Sequence, residues 1–189
     1  SDAGRGSTVD RQCGSSEQAG HFGAQAIMWG WMDVVIDGGV QTMSSMPISS
    51  AMLAAQPLGF ENPFSGSEGW TARYGDVPVS QLNSAQMIAE KWSITREAME
   101  IFALESHRRG IAATREGYFD REILPLGNLA HDETMRDTSL AQMADLEPLM
   151  PNGSITAAVS SQTCDAASAM LIVSEAALKR YNLTPRARI

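Results

Sequence analysis

The sequence predicts an α/β fold interrupted by an inserted, loop-rich segment, and three observations predict it. At the N-terminal end, TVDRQ (residues 8–12) is a short strand-like stretch. Ala19, Phe22, Ala26 and Trp29 then recur at helical spacing through residues 15–31, and DVVIDGGV (33–40) reads as a buried strand. Strand, helix and strand in that order form the βαβ pattern of a parallel sheet, with Cys13 in the first strand-to-helix turn. From about residue 48 the pattern loosens, punctuated by Pro57, Gly59, Pro63, Gly66, Gly69 and Gly75. After about residue 152 core texture returns. The expected organisation is therefore a core segment 1–47, an insertion 48–152 and a return to the core at 153–189.

Within the insertion, Ser84 to Trp92 and Thr95 to Arg115 carry amphipathic helical patterns, with Thr95 as N-cap and Gly117 as helix stop. GYFDREILPL reads as a turn into a short strand, HDETMRD as polar loop, and SLAQMADLEPLM as a short helix ended near Pro148. A structureless loop of this length is uncommon in a compact domain, so a separate subdomain is expected. In the last segment GSITAAVSSQ reads as strand-to-turn, and DAASAMLIVSEAALKRY is apolar through its first half. NLTPRARI reads as the start of another strand, so the chain is expected to stop inside a larger architecture.

Composition narrows the function classes. The 189 residues are 43% hydrophobic and 19% charged, an ordinary globular balance. A formal net charge of −8 argues against a phosphate-tracking nucleic-acid surface, which needs clustered Lys and Arg, although the pair Arg108-Arg109 suits a local anion site. Two cysteines, Cys13 and Cys164, are too few for a disulfide framework and fit a reducing compartment, so the cytoplasm is expected. No run approaches the ~20 apolar residues of a membrane helix, and SDAGRGSTVD lacks the features of a signal peptide.

A thiol in the first turn of a helix meets unpaired backbone N–H groups and the positive end of the helix dipole, a placement that favours nucleophilic chemistry. Gly14 beside it would let a substrate carbonyl approach the backbone, and the Cys13 N–H could help hold an oxyanion. From placement alone a second reading stands, a small buried apolar residue. CGSS echoes the cysteine segment of papain-like proteases, but Ser16 and Glu17 break that pattern and His21 follows too soon. His21, His107 and His131 show no metal-ligand spacing, so no metal site is expected and each reads as a surface or core-edge residue. Gly38-Gly39 lacks a phosphate-cradling pattern and reads as a close-packing position. The four tryptophans and eleven methionines read as mostly core, with Trp29 and Trp31 an alternative subunit interface.

VDRQCGSSEQA resembles the nucleophile segment of thiolases, V-N-R-x-C-x-S-x-x-Q-A, and GGVQTMSSMP resembles the G-G-x-E-x-M-S strand that follows it. SAQMIAEKWSITRE, EGYFDREILPL and NGSITAAVSSQTCDAASAMLIVSE are similar to three later motifs of that family, in order, so the resemblance covers nearly the whole chain. It implies an incomplete thiolase-like layered fold with an inserted loop domain that holds coenzyme A. It implies acyl transfer between a cysteine and coenzyme A, with C–C cleavage of a 3-ketoacyl-CoA or the reverse condensation, in fatty-acid or steroid side-chain β-oxidation. Coenzyme A is then a substrate, and no permanently bound cofactor is implied. By position Cys13 matches the nucleophile, Arg136 the arginine near the adenine nucleotide, Ala157 and Ser161 residues along the pantetheine, and Leu146 an apolar wall. A homodimer, a tetramer or a complementary thiolase chain is the implied partner.

The departures carry their own expectations. Ala157-Ala158-Val159 stands where the family has A-G-N, Met150 where an aromatic residue is frequent, and Ala166 where glycine is usual, which points to bulky, steroid-derived acyl groups. The family's N-E-A-F, G-H-P and C-x-G motifs do not occur here, and Cys164, in a C-D-A context, does not replace the second cysteine. These residues in isolation are therefore expected to be inactive, for want of both proton-transfer groups. The alternative function is an inactive CoA-binding or scaffold fragment.

Overall fold

The computed structural model describes residues 6–61, 63–64, 66–77 and 79–189. Residues 1–5, which open the segment read above as free of leader features, lie outside the described residues. The chain divides into two compact units, one formed by Ser1–Ile48 with Cys164–Ile189 and the other by Ser49–Thr163. Residues 153–163 thus fold with the inserted unit.

The first unit contains helix α1 (Ser15–Met28), strand β1 (Val34–Thr42), strand β2 (Asp165–Val173) and helix α7 (Glu175–Arg180), the number α7 leaving α2 to α6 for the second unit. The strands pair antiparallel, from Val34 opposite Val173 to Thr42 opposite Asp165. The expected parallel βαβ unit is not formed. TVDRQ is not a strand, because Asp10 Oδ1 accepts the Gln12 N–H at 3.2 Å, a local side-chain bond that competes with a sheet ladder. NLTPRARI likewise has no regular structure.

Side chains alternate between the faces of a strand pair, so only half of this sheet can meet α1. Val35, Asp37, Met170 and Ile172 turn toward the glycine face of α1, where a Cβ added at Gly23 would lie 3.1 Å from Ile172 Cδ1 and 3.2 Å from Val35 Cγ1. Ile36 and Val40, on the other face, are 78% and 74% exposed, so β1 is not the fully buried strand expected. Asp33 joins the strand pair to α7: its carbonyl accepts the Ser174 N–H at 2.9 Å and its carboxylate accepts the Ser174 hydroxyl at 2.7 Å. Ser174 Oγ in turn caps α7 by accepting the Ala177 N–H.

The second unit holds α2 (Ser50–Leu53), α3 (Glu68–Tyr74), α4 (Gln81–Lys91), α5 (Arg96–Arg115) and α6 (Leu140–Ala144). α5 runs as its sequence signals predict: Thr95 Oγ1 accepts the Ala98 N–H at 3.1 Å, and Gly117 follows at φ +75°. α4 begins three residues before the expected Ser84, capped by Ser80. GYFDREILPL forms turns and a single bridge, Leu126 to Leu129, instead of a strand. GSITAAVSSQ makes one bridge, Pro148 to Thr156, and then a 3-10 turn over Ala157–Val159. α6 ends at Ala144, before the expected Pro148, and a side chain from α5 meets the free carbonyls there: Arg96 Nη2 donates to Met143 and Ala144 at 3.0 and 2.9 Å and to Leu146, just beyond the helix, at 2.8 Å. Among the described residues of this unit, Ala89, Glu100, Met143, Ile155 and Thr156 are buried.

The tryptophans and methionines do not form the core expected of them. Trp29 and Trp31 are 76% and 77% exposed, Trp92 is exposed, and among the described methionines only Met143 is buried. One helix covers one face of the two strands, and the other face, with Ile36 and Val40, is left exposed.

Candidate functional site

Cys13 occupies the centre of a 3-10 turn, Gln12–Gly14, that leads directly into α1. The turn is built from its neighbours. Ser15 Oγ accepts the Arg11 N–H at 2.8 Å and donates to the Gln12 carbonyl at 2.7 Å, while the Gly14 N–H donates to the Arg11 carbonyl at 3.0 Å. Gln12 is held at φ +47°, a left-handed conformation that costs a side-chain-bearing residue on the order of 1 kcal/mol. This bend presents Cys13 outward, and the thiol is exposed. Arg11 folds its guanidinium over Gly14, where an added Cβ would come within 3.4 Å of it, so a cation lies beside the residue that follows the thiol. The burial reading of Cys13 does not hold.

Two motif segments of this unit, 121 residues apart, meet at the far end of the strand pair. Asp165, opposite Thr42, accepts the Ser44 N–H through Oδ1 at 2.9 Å and the Ser44 hydroxyl through Oδ2. The hydroxyl bond, followed by the backbone bond, holds the Asp165 carboxyl below its ordinary range. On the outer side of α1, Phe22, Gln25, Ala26, Trp29 and Trp31 line an open apolar concavity of about 490 Å³. Cys164 is exposed.

In the inserted unit Arg136 and Ser161 lie on segments joined by one side chain. Gln162 Nε2 donates to the Thr134 carbonyl at 2.7 Å, and Gln162 Oε1 accepts from Arg136 Nη2 at 3.1 Å. The Arg136 backbone N–H donates to His107 Nδ1 at 3.2 Å, which ties this loop to α5. Arg136 and Ser161 are both exposed, as is Ala157, which opens its 3-10 turn. Leu146 is exposed too, its carbonyl held by Arg96. His21 and His131 are exposed and His107 is half-buried. Among the described residues no three His, Cys, Asp or Glu side chains gather as a metal site, and no helix is long and apolar enough to cross a membrane.

Several supporting residues escaped sequence reading. Arg96, Asp165 and Gln162 all fall inside segments whose motifs were noted, but a motif letter does not say which distant carbonyl or hydroxyl a side chain will reach. Residues 3–176 match the thiolase N-terminal domain. The chain belongs to the thiolase family. This thiolase chain is 52% identical over 188 residues to a steroid 3-ketoacyl-CoA thiolase of Mycobacterium tuberculosis, covering 97% of the chain and 46% of that relative. It is 40% identical over 198 residues to a 3-ketoacyl-CoA thiolase of Psychrobacter cryohalolentis, covering 97% and 47%. Among solved structures it superposes on an acetyl-CoA acetyltransferase from Syntrophomonas wolfei with a TM-score of 0.72 at 33% identity, covering 94% of this chain and 46% of that one. On the human mitochondrial 3-ketoacyl-CoA thiolase in complex with CoA the TM-score is 0.73 at 29% identity, with 94% and 47% covered. The thiolase chain thus spans about half the length of the curated relatives it matches.

Proposed function

We propose that this thiolase chain supplies the nucleophile and the coenzyme A loop domain of an enzyme that cleaves 3-ketoacyl-CoA thioesters, or condenses acyl-CoA in reverse. The observation that carries the reading is Cys13: an exposed thiol in a strained turn at the head of a 14-residue helix. In the cleavage direction the Cys13 sulfur attacks the 3-keto carbon, the C2–C3 bond breaks, and the electron pair left on C2 takes a proton to release acetyl-CoA. The thiol of a second coenzyme A attacks the resulting acyl-cysteine, giving the shortened acyl-CoA and returning Cys13 to its thiol form. The two half-reactions also need an acid and a base. The family's motifs for these groups do not occur in the 189 residues, so proton transfer falls to another part of the assembled enzyme.

In this reading the unit formed by residues 49–163 holds coenzyme A, with Arg136 at the nucleotide end, Ala157 and Ser161 along the pantetheine arm and Leu146 as an apolar wall. The similarity to a steroid 3-ketoacyl-CoA thiolase, with Ala158 and Val159 where the family has glycine and asparagine, supports a bulky acyl group. The enzyme works in the cytoplasm as a homodimer or tetramer, or with a complementary thiolase chain. Trp29 and Trp31, exposed at one end of α1, suit such an interface.

The test is acyl transfer itself. Incubating the intact enzyme with acetoacetyl-CoA, or a longer 3-ketoacyl-CoA, is expected to give an acylated Cys13 peptide by mass spectrometry. Cys13→Ala should abolish that adduct and lower turnover by at least about a thousandfold. Retained turnover in the variant overturns the role of Cys13. The lack of the family's G-H-P and C-x-G motifs in these residues favours a second reading, an inactive CoA-binding scaffold. That reading predicts CoA binding with no acyl-enzyme under any of these conditions.

A further inference from the structure

One side chain holds together the two segments that carry Arg136 and Ser161. Both ends of the Gln162 amide are used, the nitrogen on the Thr134 carbonyl at 2.7 Å and the oxygen on Arg136 Nη2 at 3.1 Å. Gln162 is half-buried, so these bonds are partly sheltered from water. The main chain of Arg136 is pinned from the opposite side: its N–H reaches His107 Nδ1, and Met135 lies on Gly110 of α5, where an added Cβ would stand 2.6 Å from its sulfur. Backbone and guanidinium are therefore fixed independently. Among the described residues no carboxylate pairs with Arg136, and four of the five guanidinium N–H donors are left for a ligand.

An exposed arginine ordinarily loses rotamer freedom when it binds an anion, and that loss weakens binding. A neutral amide that holds the guanidinium in place removes part of that cost without cancelling its charge, which a carboxylate would do. We infer that Gln162 is a positioning residue for the anionic end of the coenzyme A substrate: tied to the Thr134 carbonyl, it aims the Arg136 guanidinium at the phosphates. This rests on the reading of Arg136 and Ser161 as coenzyme A contacts.

The experiment compares ligands on the intact enzyme: coenzyme A, pantetheine, which carries the same thiol arm without the nucleotide, and 4′-phosphopantetheine and dephospho-coenzyme A, which separate the phosphates from the adenosine. Gln162→Leu is expected to raise the Kd for coenzyme A about threefold to tenfold and to leave the Kd for pantetheine unchanged. Gln162→Glu keeps an acceptor for Arg136 but loses the donor to Thr134 and brings a negative charge to the phosphates, so it should give the same selective loss, larger in size. It also serves as the readout if Gln162→Leu fails to fold. Equal losses for coenzyme A and pantetheine, or none for either, overturn the positioning role. Arg136→Ala separates the two layers of the argument. If it loses phosphate-dependent affinity while both Gln162 variants do not, only the positioning role falls; if it loses none, the coenzyme A reading of Arg136 falls and the positioning role with it.

Discussion

Arg96 shows how much of the inserted unit depends on a single cation. Its Nε donates to Glu100 Oε1 at 2.7 Å, and its Nη2 serves three carbonyls at the end of α6. Glu100 is only 5% exposed, so removing its partner leaves a carboxylate buried without compensation. Arg96→Ala is therefore expected to destabilise the chain by about 3 kcal/mol, read as a shift of the denaturation midpoint in urea, and adding Glu100→Gln should recover part of that loss. A midpoint that does not move would mean that the carbonyls find water and the pair contributes nothing. At this scale the sequence was legible where chemistry is local. Cys13 before Gly14 and a helix announces its own placement, whereas the Gln162 bridge and the Arg96 clamp join residues 26 to 50 positions apart through polar side chains that look like any others in a loop.

Helix α1 packs on the sheet through glycine, and its two buried glycines are not equivalent. A methyl group at Gly20 would meet the mobile tip of Met170 at 3.0 Å, which can swing aside, although Asp37 Oδ2 is also close at 3.3 Å. At Gly23 it would meet Ile172 at 3.1 Å and the stiff, β-branched Val35 at 3.2 Å. Replacing helical glycine by alanine gains about 0.5–1 kcal/mol of backbone entropy, whereas overpacking costs about 1–3 kcal/mol. Gly20→Ala is accordingly expected to be neutral or slightly stabilising and Gly23→Ala to destabilise by about 1 kcal/mol, with chemical denaturation as the measurement. If the two behave alike, side-chain stiffness is not what sets the spacing. Helix α5 was legible because cap, period and stop lie within one segment, as Thr95 and Gly117 show, and α1 was legible from its helical spacing alone. The strand pairing was not, because β1 finds its partners 123 residues away at Thr42 and Asp165 and 139 at Val34 and Val173, and nothing near Val34 says whether that partner runs with it or against it.

For the molecule as a whole, the pH dependence of stability includes exposed carboxylates whose partners favour the ionised form. Arg108 and Arg109 hold Glu105 down to about 2 from an ordinary 4.5, the Ser44 hydroxyl and N–H lower Asp165, and Lys179 lowers Glu175. Each native value lies below its unfolded counterpart, so this stabilisation is complete above about pH 4.5 and is lost as pH falls through the native values. Thermal melts are expected to be flat above that point and to decline toward pH 2, with Glu105→Gln removing part of the decline at its acidic end; a melting temperature unchanged down to pH 2 would exclude the effect. The Ser44–Asp165 contact has another consequence. The chain leaves the strand pair and returns to it at adjacent rungs, so everything between is a cassette held by its two ends. Lengthening such a loop costs only about 0.6 kcal/mol for each doubling, so the inserted unit can change in length while the strand pair that anchors it stays the same.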